Sequence, residues 1–266
     1  GVFNQPFESY MFDVTFLDLP TDDNFEQVLA DFQQLIETKK VAAFIFEPLI
    51  QGSAGMLMYK AEYLDKLIET AQQNQVICIA DEVMTGFGRT GKTFATDYLM
   101  HKPDIFCLSK GITGGFLPLG ITTCTQKIYD AFLSDDKLKT FFHGHSYTGN
   151  PIVCAAANAS LDLLQTSEFK LQNLVEWQTE LSVYLKANPK IENLRQTGTI
   201  VAFDVKTDAN SNYFNNLRDV LYDNFIKRGI LLRPLGNTVY ILPPYVITNE
   251  QLKKVYEVIG EVLAII

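Results

Sequence analysis

The sequence predicts an α/β protein with a mostly parallel central sheet, followed by a small C-terminal α+β domain. Three observations predict it. Continuous apolar runs of strand length occur at VAAFIFE (41–47), VICIADE (76–82) and DIFCLSK (104–110). Runs without alternating polarity belong to strands covered on both faces, as in parallel sheets. Helical patterns separate these runs, the order that builds crossover units. From residue 166 onward the order changes to long helices and short strands, so the expected division is 1–165 for part of a large domain and 166–266 for a small one.

Taken in order, Thr21 and Asp22 open a helical pattern that runs to about Lys39. The strand 41–47 follows, then a helix over about 61–73 and the strand 76–82. A Gly-rich loop leads to the strand 104–110. A fourth strand, LGITTCT (119–125), leads into a short helix. Asn150 and Pro151 start a helix to about 165, since proline is tolerated in a first turn. A long helix is expected at about 168–187, a strand at 199–206 and a helix at 213–228. Two short strands around 230–242 and a final helix at 249–265 complete the chain. There are no internal repeats and no low-complexity linker.

The 266 residues are 47% hydrophobic and 20% charged, an ordinary globular composition with enough chain for a substantial core. A net charge of −9 without a basic cluster argues against nucleic acid or an anionic membrane as partner. Cys78, Cys107, Cys124 and Cys154 form no C-x-x-C pair. Cys78 and Cys107 lie in apolar runs and read as buried, reduced thiols, which places the chain in a reducing, cytoplasmic compartment. No apolar run approaches the roughly 20 residues of a membrane span. The start, GVFNQPFESYMF, lacks the basic and apolar regions of a signal peptide and reads as loop from inside a longer protein.

Two strand ends carry the chemistry. IADEV puts Asp81 at the carboxyl end of one strand, and CLSKG puts Lys110 at the carboxyl end of the next. Ligands of open α/β sheets bind beyond those ends. A desolvated lysine amine becomes a nucleophile that forms Schiff bases with carbonyls, and an acid beside it suits a cofactor with a ring nitrogen. The pair alone reads equally as a buried Asp–Lys ion pair.

The flanking segments add context. IFEPLIQGSAGM, ADEVMTGFGRTGKTFA, DIFCLSKGITGGFLPLG and HGHSYTGNPIVCAAANASL occur in this order. Together they resemble class III aminotransferases of the pyridoxal-phosphate (PLP) fold type I, along essentially the whole chain. The resemblance implies that Lys110 carries PLP and serves as the proton-transfer base, with Asp81 as partner of the pyridinium nitrogen. It implies that Val83 packs on the ring face. His145 and Ser146 are assigned to the cofactor, with Ser146 donating to the phosphate from the partner subunit of a homodimer with shared sites. GHSYTGNP and ILLRPLGNTVYILPPYVIT are similar to the adenosylmethionine–8-amino-7-oxononanoate aminotransferases of biotin biosynthesis. That similarity implies that Arg233 binds the substrate carboxylate, for which a guanidinium fork is suited. Gly144 and Arg89 match further substrate-site positions.

The implied reaction is transamination of 8-amino-7-oxononanoate to 7,8-diaminononanoate, with S-adenosylmethionine as donor, though some relatives use lysine. Another class III aminotransferase acting on an ω-amino acid or diamine, or an inactive fragment of one, stays open. The family's chains are longer at the N-terminus, where a phosphate-binding Gly/Ser loop and ring-stacking aromatics are expected. The large domain is therefore expected to lack its first part, and the isolated chain to bind PLP weakly.

Other patterns are set aside. Gly86 to Thr93 fits the phosphate-loop pattern G-x-x-x-x-G-K-[ST], but the following FATDYLMHKP is short and stopped by Pro103, where the motif needs a helix. His143 and His145 lack the further ligands of a zinc site, so no metal is expected. Glu47, at the end of the strand 41–47, reads as a structural acid near the same crevice.

Overall fold

The structure, a computed structural model, describes residues 5–166, 171–207 and 216–266. Extended chain leads into α1 (Phe25–Thr38), whose start is marked by Asn24 accepting from the Thr21 amide at 2.7 Å. Strand β1 (Ala43–Phe46) is followed by a small hairpin, β2 (Ile50–Gln51) with β3 (Leu57–Met58). Helix α2 (Ala61–Gln73) buries Leu64, Leu67, Ile68 and Ala71, the i, i+3, i+4, i+7 stripe of an amphipathic helix. Strands β4 (Ile77–Asp81), β5 (Ile105–Leu108) and β6 (Ile121–Cys124) follow.

These strands form a four-stranded sheet in the order β1-β4-β5-β6. β1, β4 and β5 are parallel, whereas β6 runs antiparallel to β5. The sheet is thus mixed and mostly parallel. The reversal at β6 has a local cause. The connection from β5 is a 3-10 turn, Lys110–Thr113, and a loop in which Gly114 and Gly115 take φ of 61° and 83°. That loop turns the chain back and holds no crossover helix, which a parallel partner requires. α1 and α2 cover one face of the sheet, with Phe32, Leu64, Ile68, Cys78 and Ala80 fully or almost fully buried.

Helices α3 (Gln126–Asp130) and α4 (Pro151–Gln165) precede α5 (Leu171–Lys186). Asn150 caps α4 by accepting from the Ile152 amide, with Pro151 in the first turn. A second sheet, β7-β8-β9, is fully antiparallel and comprises Ile191–Thr197, Ile200–Val205 and Thr238–Ile241. α6 (Leu217–Lys227) and α7 (Asn249–Ile265) pack with α5 on this sheet. α7 opens with a capping box between Thr248 and Gln251. The beginnings of the helices expected at 168 and 213 lie outside the described residues.

Two expectations change here. β7 is absent from the sequence-based order of elements, because its alternation is broken by a register shift between Glu192 and Arg195, with Asn193 at φ 51°. Of two strands expected around 230–242 only β9 forms. The segment before it is extended chain joined by one bridge, Leu235 to Thr238.

β8 is buried along its full length. Val201, Phe203 and Val205 point into the core with α5, α6 and α7. Ile200 and Ala202 point the other way and pack on Leu49, Ile50, Met56 and Ala95 from the first half of the chain. Asp204 receives Arg195 through both oxygens, at 3.1 and 3.0 Å. Arg195 also donates to the carbonyls of Met56 and Gly55, at 2.8 and 2.6 Å. One buried ion pair therefore ties the second sheet to the hairpin beside the first.

The β7–β8 turn seats against the loop after β4. Gly198 has φ 55°, and a Cβ there would stand 2.2 Å from the Thr90 carbonyl carbon. Gly198→Ala forces two backbones apart and is expected to cost more than about 2 kcal/mol in urea unfolding.

Candidate active site

Parallel pairing puts Asp81 opposite Cys107, three residues before Lys110. Asp81 and Lys110 thus leave the carboxyl ends of adjacent parallel strands, the position where open α/β sheets bind ligands. The Asp81 carboxylate accepts from the Val83 amide at 3.0 Å, which fixes its orientation at the mouth of the crevice. Lys110 is exposed and starts its 3-10 turn at φ 42°, a left-handed conformation rare outside glycine. Before it, the Ser109 hydroxyl donates to the Leu119 carbonyl at 2.6 Å, closing the base of the turn.

Glu47, at the end of β1, joins the same field of charge. Its Oε2 accepts from the Gly52 amide at 2.9 Å, and its backbone carbonyl accepts from the Tyr59 hydroxyl at 2.6 Å. Burial pushes its carboxyl above the usual glutamate range. The Gly52 amide opposes that rise, nearby Asp81 adds to it, and Lys110 opposes it. A residue read from sequence as a structural acid therefore shares electrostatics with both principal candidates. The signal for it was its place at a strand end, equivalent to that of Asp81 on the neighbouring strand.

The loop after Asp81 is tightly held. Glu82 is fully buried and accepts from the Ala95 amide, the Thr96 amide and the Thr96 hydroxyl, at 2.8, 2.9 and 2.6 Å. Its carboxylate folds residues 82–96 back on themselves. The Gly86–Thr93 pattern belongs to this closed loop. A 3-10 turn, Ala95–Tyr98, follows it in place of the α-helix a phosphate loop needs, and the Lys92 amine stacks on Tyr98 at 4.2 Å.

Arg89 points toward the C-terminal third. It donates to the Pro243 carbonyl at 2.6 Å and lies over the Tyr245 ring at 4.4 Å. Burial lowers its pKa, and Tyr245 works against that shift. Tyr245 in turn donates to the Phe87 carbonyl at 2.6 Å. Sequence reading singled out neither Phe87 nor Tyr245, since an aromatic in a glycine-rich loop and one after two prolines carry no recognisable chemistry.

The remaining candidates are exposed. Arg233 is exposed in the extended segment before β9. Gly144, His145 and Ser146 belong to an exposed segment before α4. There the His145 amide donates to the Thr148 hydroxyl at 3.1 Å, and the Tyr147 amide to the His145 ring at 3.2 Å. Among the described residues no group of three or more His, Cys, Asp or Glu could hold a metal. None of the described helices is long and apolar enough to cross a membrane.

The donor set fits PLP. A lysine amine, a carboxylate oriented by a backbone amide, and an apolar side chain, Val83, beside that carboxylate are the groups that would hold an aldehyde, a ring nitrogen and a ring face.

Comparison with known proteins agrees. The family profile "Aminotransferase class-III" matches residues 3–263. An adenosylmethionine-8-amino-7-oxononanoate aminotransferase of Synechococcus elongatus is 44% identical over 99% of this chain. The crystal structure of the enzyme of that name from Methanocaldococcus jannaschii superposes with a TM-score of 0.89 at 32% identity, over 99% of this chain. An amine transaminase from an uncultivated Pseudomonas species, solved in a PLP-bound form, superposes over 90% of it with a TM-score of 0.77 at 30% identity. The chain spans 64% of the Synechococcus protein's length, 62% of the Methanocaldococcus chain and 57% of the Pseudomonas chain. With the profile covering nearly every residue and the fold shared with PLP enzymes, the chain belongs to the class III aminotransferases.

Proposed function

We propose that this chain carries the lysine, ring-acid and substrate-carboxylate residues of an aminotransferase that converts 8-amino-7-oxononanoate to 7,8-diaminononanoate in biotin biosynthesis. S-adenosylmethionine is the proposed amino donor. The observation that carries the reading is the placement of Asp81 and Lys110 at the ends of adjacent parallel strands. The choice of substrates is supported by the name shared by the Synechococcus and Methanocaldococcus relatives.

PLP, when bound, supplies an electron sink for the donor carbon that loses its proton. Lys110 is the nucleophile toward the cofactor's aldehyde. With the cofactor bound, the Lys110 Nζ would also be the base that takes and returns the proton of the donor α-carbon. Asp81 would hold the ring nitrogen, and the Val83 amide keeps that carboxylate in place. Val83 would pack on the ring face. Arg233 grips the distant carboxylate of the acceptor, which positions its ketone within reach of Lys110. Gly144 and Arg89 are further substrate-site residues, Arg89 being held by Pro243 and Tyr245. His145 and Ser146 serve the phosphate of the neighbouring subunit in a homodimer. The dimer is supported by the exposed Phe116, Phe141, Phe142 and Tyr147 around that segment, an apolar surface of the kind subunits cover. A cytoplasmic location fits cysteines that are all free, with the buried thiol of Cys78 pushed up to about 12 by burial.

Three outcomes check this reading. Borohydride reduction of the PLP-treated protein and peptide mapping are expected to find the cofactor on Lys110, and Lys110→Ala is expected to lose activity about 1,000-fold or more. Label on another lysine would overturn the assignment. Turnover of an ω-amine but not of 8-amino-7-oxononanoate would overturn the substrate. Arg233→Ala is expected to raise KM for 8-amino-7-oxononanoate about 10- to 100-fold, with a smaller change in kcat, as steady-state kinetics would show.

Glu47 gives a pH-dependent outcome. Its folded pKa is raised, so its contribution to stability is present below the ordinary glutamate pKa and is lost as pH rises through the raised value. Glu47→Gln keeps an acceptor for the Gly52 amide and removes that loss. Urea unfolding at a series of pH values is expected to show the variant gaining on the wild type from about pH 4 to pH 7.

A further inference from the structure

We propose that Tyr245 is a positioning residue for Lys110, acting through Phe87 and Gly111. The inference rests on the reading of Lys110 as the cofactor lysine.

Tyr245 follows Pro243 and Pro244 after β9, and its hydroxyl donates to the Phe87 carbonyl at 2.6 Å. The approach needs a glycine next to Phe87. A Cβ on Gly88, at φ 98°, would lie 3.2 Å from the Tyr245 hydroxyl. Burial pushes that phenol up to about 12, so it is a donor throughout the neutral range. The Arg89 guanidinium lies over the ring and bonds to the Pro243 carbonyl, which holds the ring from its other side.

Phe87 adopts φ 59°, a left-handed conformation that is unfavourable for an aromatic residue. The bond to its carbonyl helps to hold it there. In that conformation its side chain presses on the lysine turn. A Cβ on Gly111 would stand 3.0 Å from the Phe87 Cβ and 3.1 Å from its ring. Phe87 also clusters with Leu108 and Ile112, which flank Lys110 on either side. The turn is thus closely packed on the Phe87 side, and a shift of the Phe87 backbone is passed directly to the residue after Lys110. Tyr245 belongs to the same third of the chain as Arg233. The contact therefore connects the part proposed to grip substrate with the lysine proposed to react with it.

The test uses the PLP-loaded protein and reads visible circular dichroism per bound cofactor, kcat and KM. Borohydride labelling of Lys110 in the wild type serves as reference. Tyr245→Phe keeps the ring beneath Arg89 and deletes only the hydroxyl. It is expected to lower the visible ellipticity about twofold or more and kcat about tenfold, with KM within about twofold. Gly111→Ala reaches the same contact from the lysine side and is expected to do likewise. Tyr256→Phe deletes a hydroxyl that donates to Gln178 within the C-terminal core, and is expected to leave the visible band unchanged. A labelled Lys110 together with wild-type ellipticity and kcat in Tyr245→Phe would overturn the inference. If that variant does not fold, wild-type ellipticity in Gly111→Ala overturns it instead. Absence of label on Lys110 in the wild type overturns the cofactor assignment, and this inference with it.

Discussion

The site depends on the parallel pairing of β4 with β5. Because Asp81 is registered against Cys107, three residues before Lys110, the acid and the lysine emerge beyond the carboxyl ends of neighbouring strands. Side chains alternate along a strand, so a slip of one residue in either strand would turn its last residue to the opposite face and dissolve the pair. The register is held from both sides. β1 pairs with β4 from Ala43–Ile77 to Phe46–Ala80, and β6 pairs with β5 from Ile105–Cys124 to Leu108–Ile121. The Asp104 carboxylate also accepts from the Cys78 amide at 2.9 Å, which fixes the start of β5 against β4.

A second layer of structure shapes the loops beyond the strand ends. Glu82 closes the loop after Asp81, and the C-terminal third clamps it at four points: Gly198 against Thr90, Thr199 on the Arg89 carbonyl at 3.0 Å, Pro243 on the Arg89 guanidinium, and Tyr245 on the Phe87 carbonyl. The Arg195–Asp204 pair does the same for the hairpin after Glu47. Both loops that border the crevice are therefore shaped by residues far away in sequence, and both ties are buried or half-buried, where hydrogen bonds to charged groups are strongest.

Much of this was legible in the sequence, for identifiable reasons. The three parallel strands announced themselves as unbroken apolar runs, and α2 and α7 as helical patterns. Asp81 and Lys110 could be placed because each ends such a run. What stayed hidden depends on contacts between distant segments. β7 has a bulge that breaks its pattern, and β6 reverses because of two glycines whose φ no sequence reading supplies. The partners of Arg89 were hidden too: its guanidinium lies over Tyr245 and bonds to Pro243. That partnership exists only once the chain has folded.

The buried strand β8 carries a kinetic consequence. Its two faces seal two cores at once, one with α5, α6 and α7 and one with the hairpin after β1. The loop beside the crevice is fastened by an Arg89–Pro243 bond between residues 154 apart in sequence. Contacts of that separation form late, since closing a long loop comes before any gain from it. The edge that holds Asp81 and Lys110 can assemble early from neighbouring segments, but its bordering loops wait for the far end of the chain to dock. During synthesis the strands that carry Asp81 and Lys110 would exist before the loops beside them are shaped, with their apolar partners briefly uncovered and open to association with other chains.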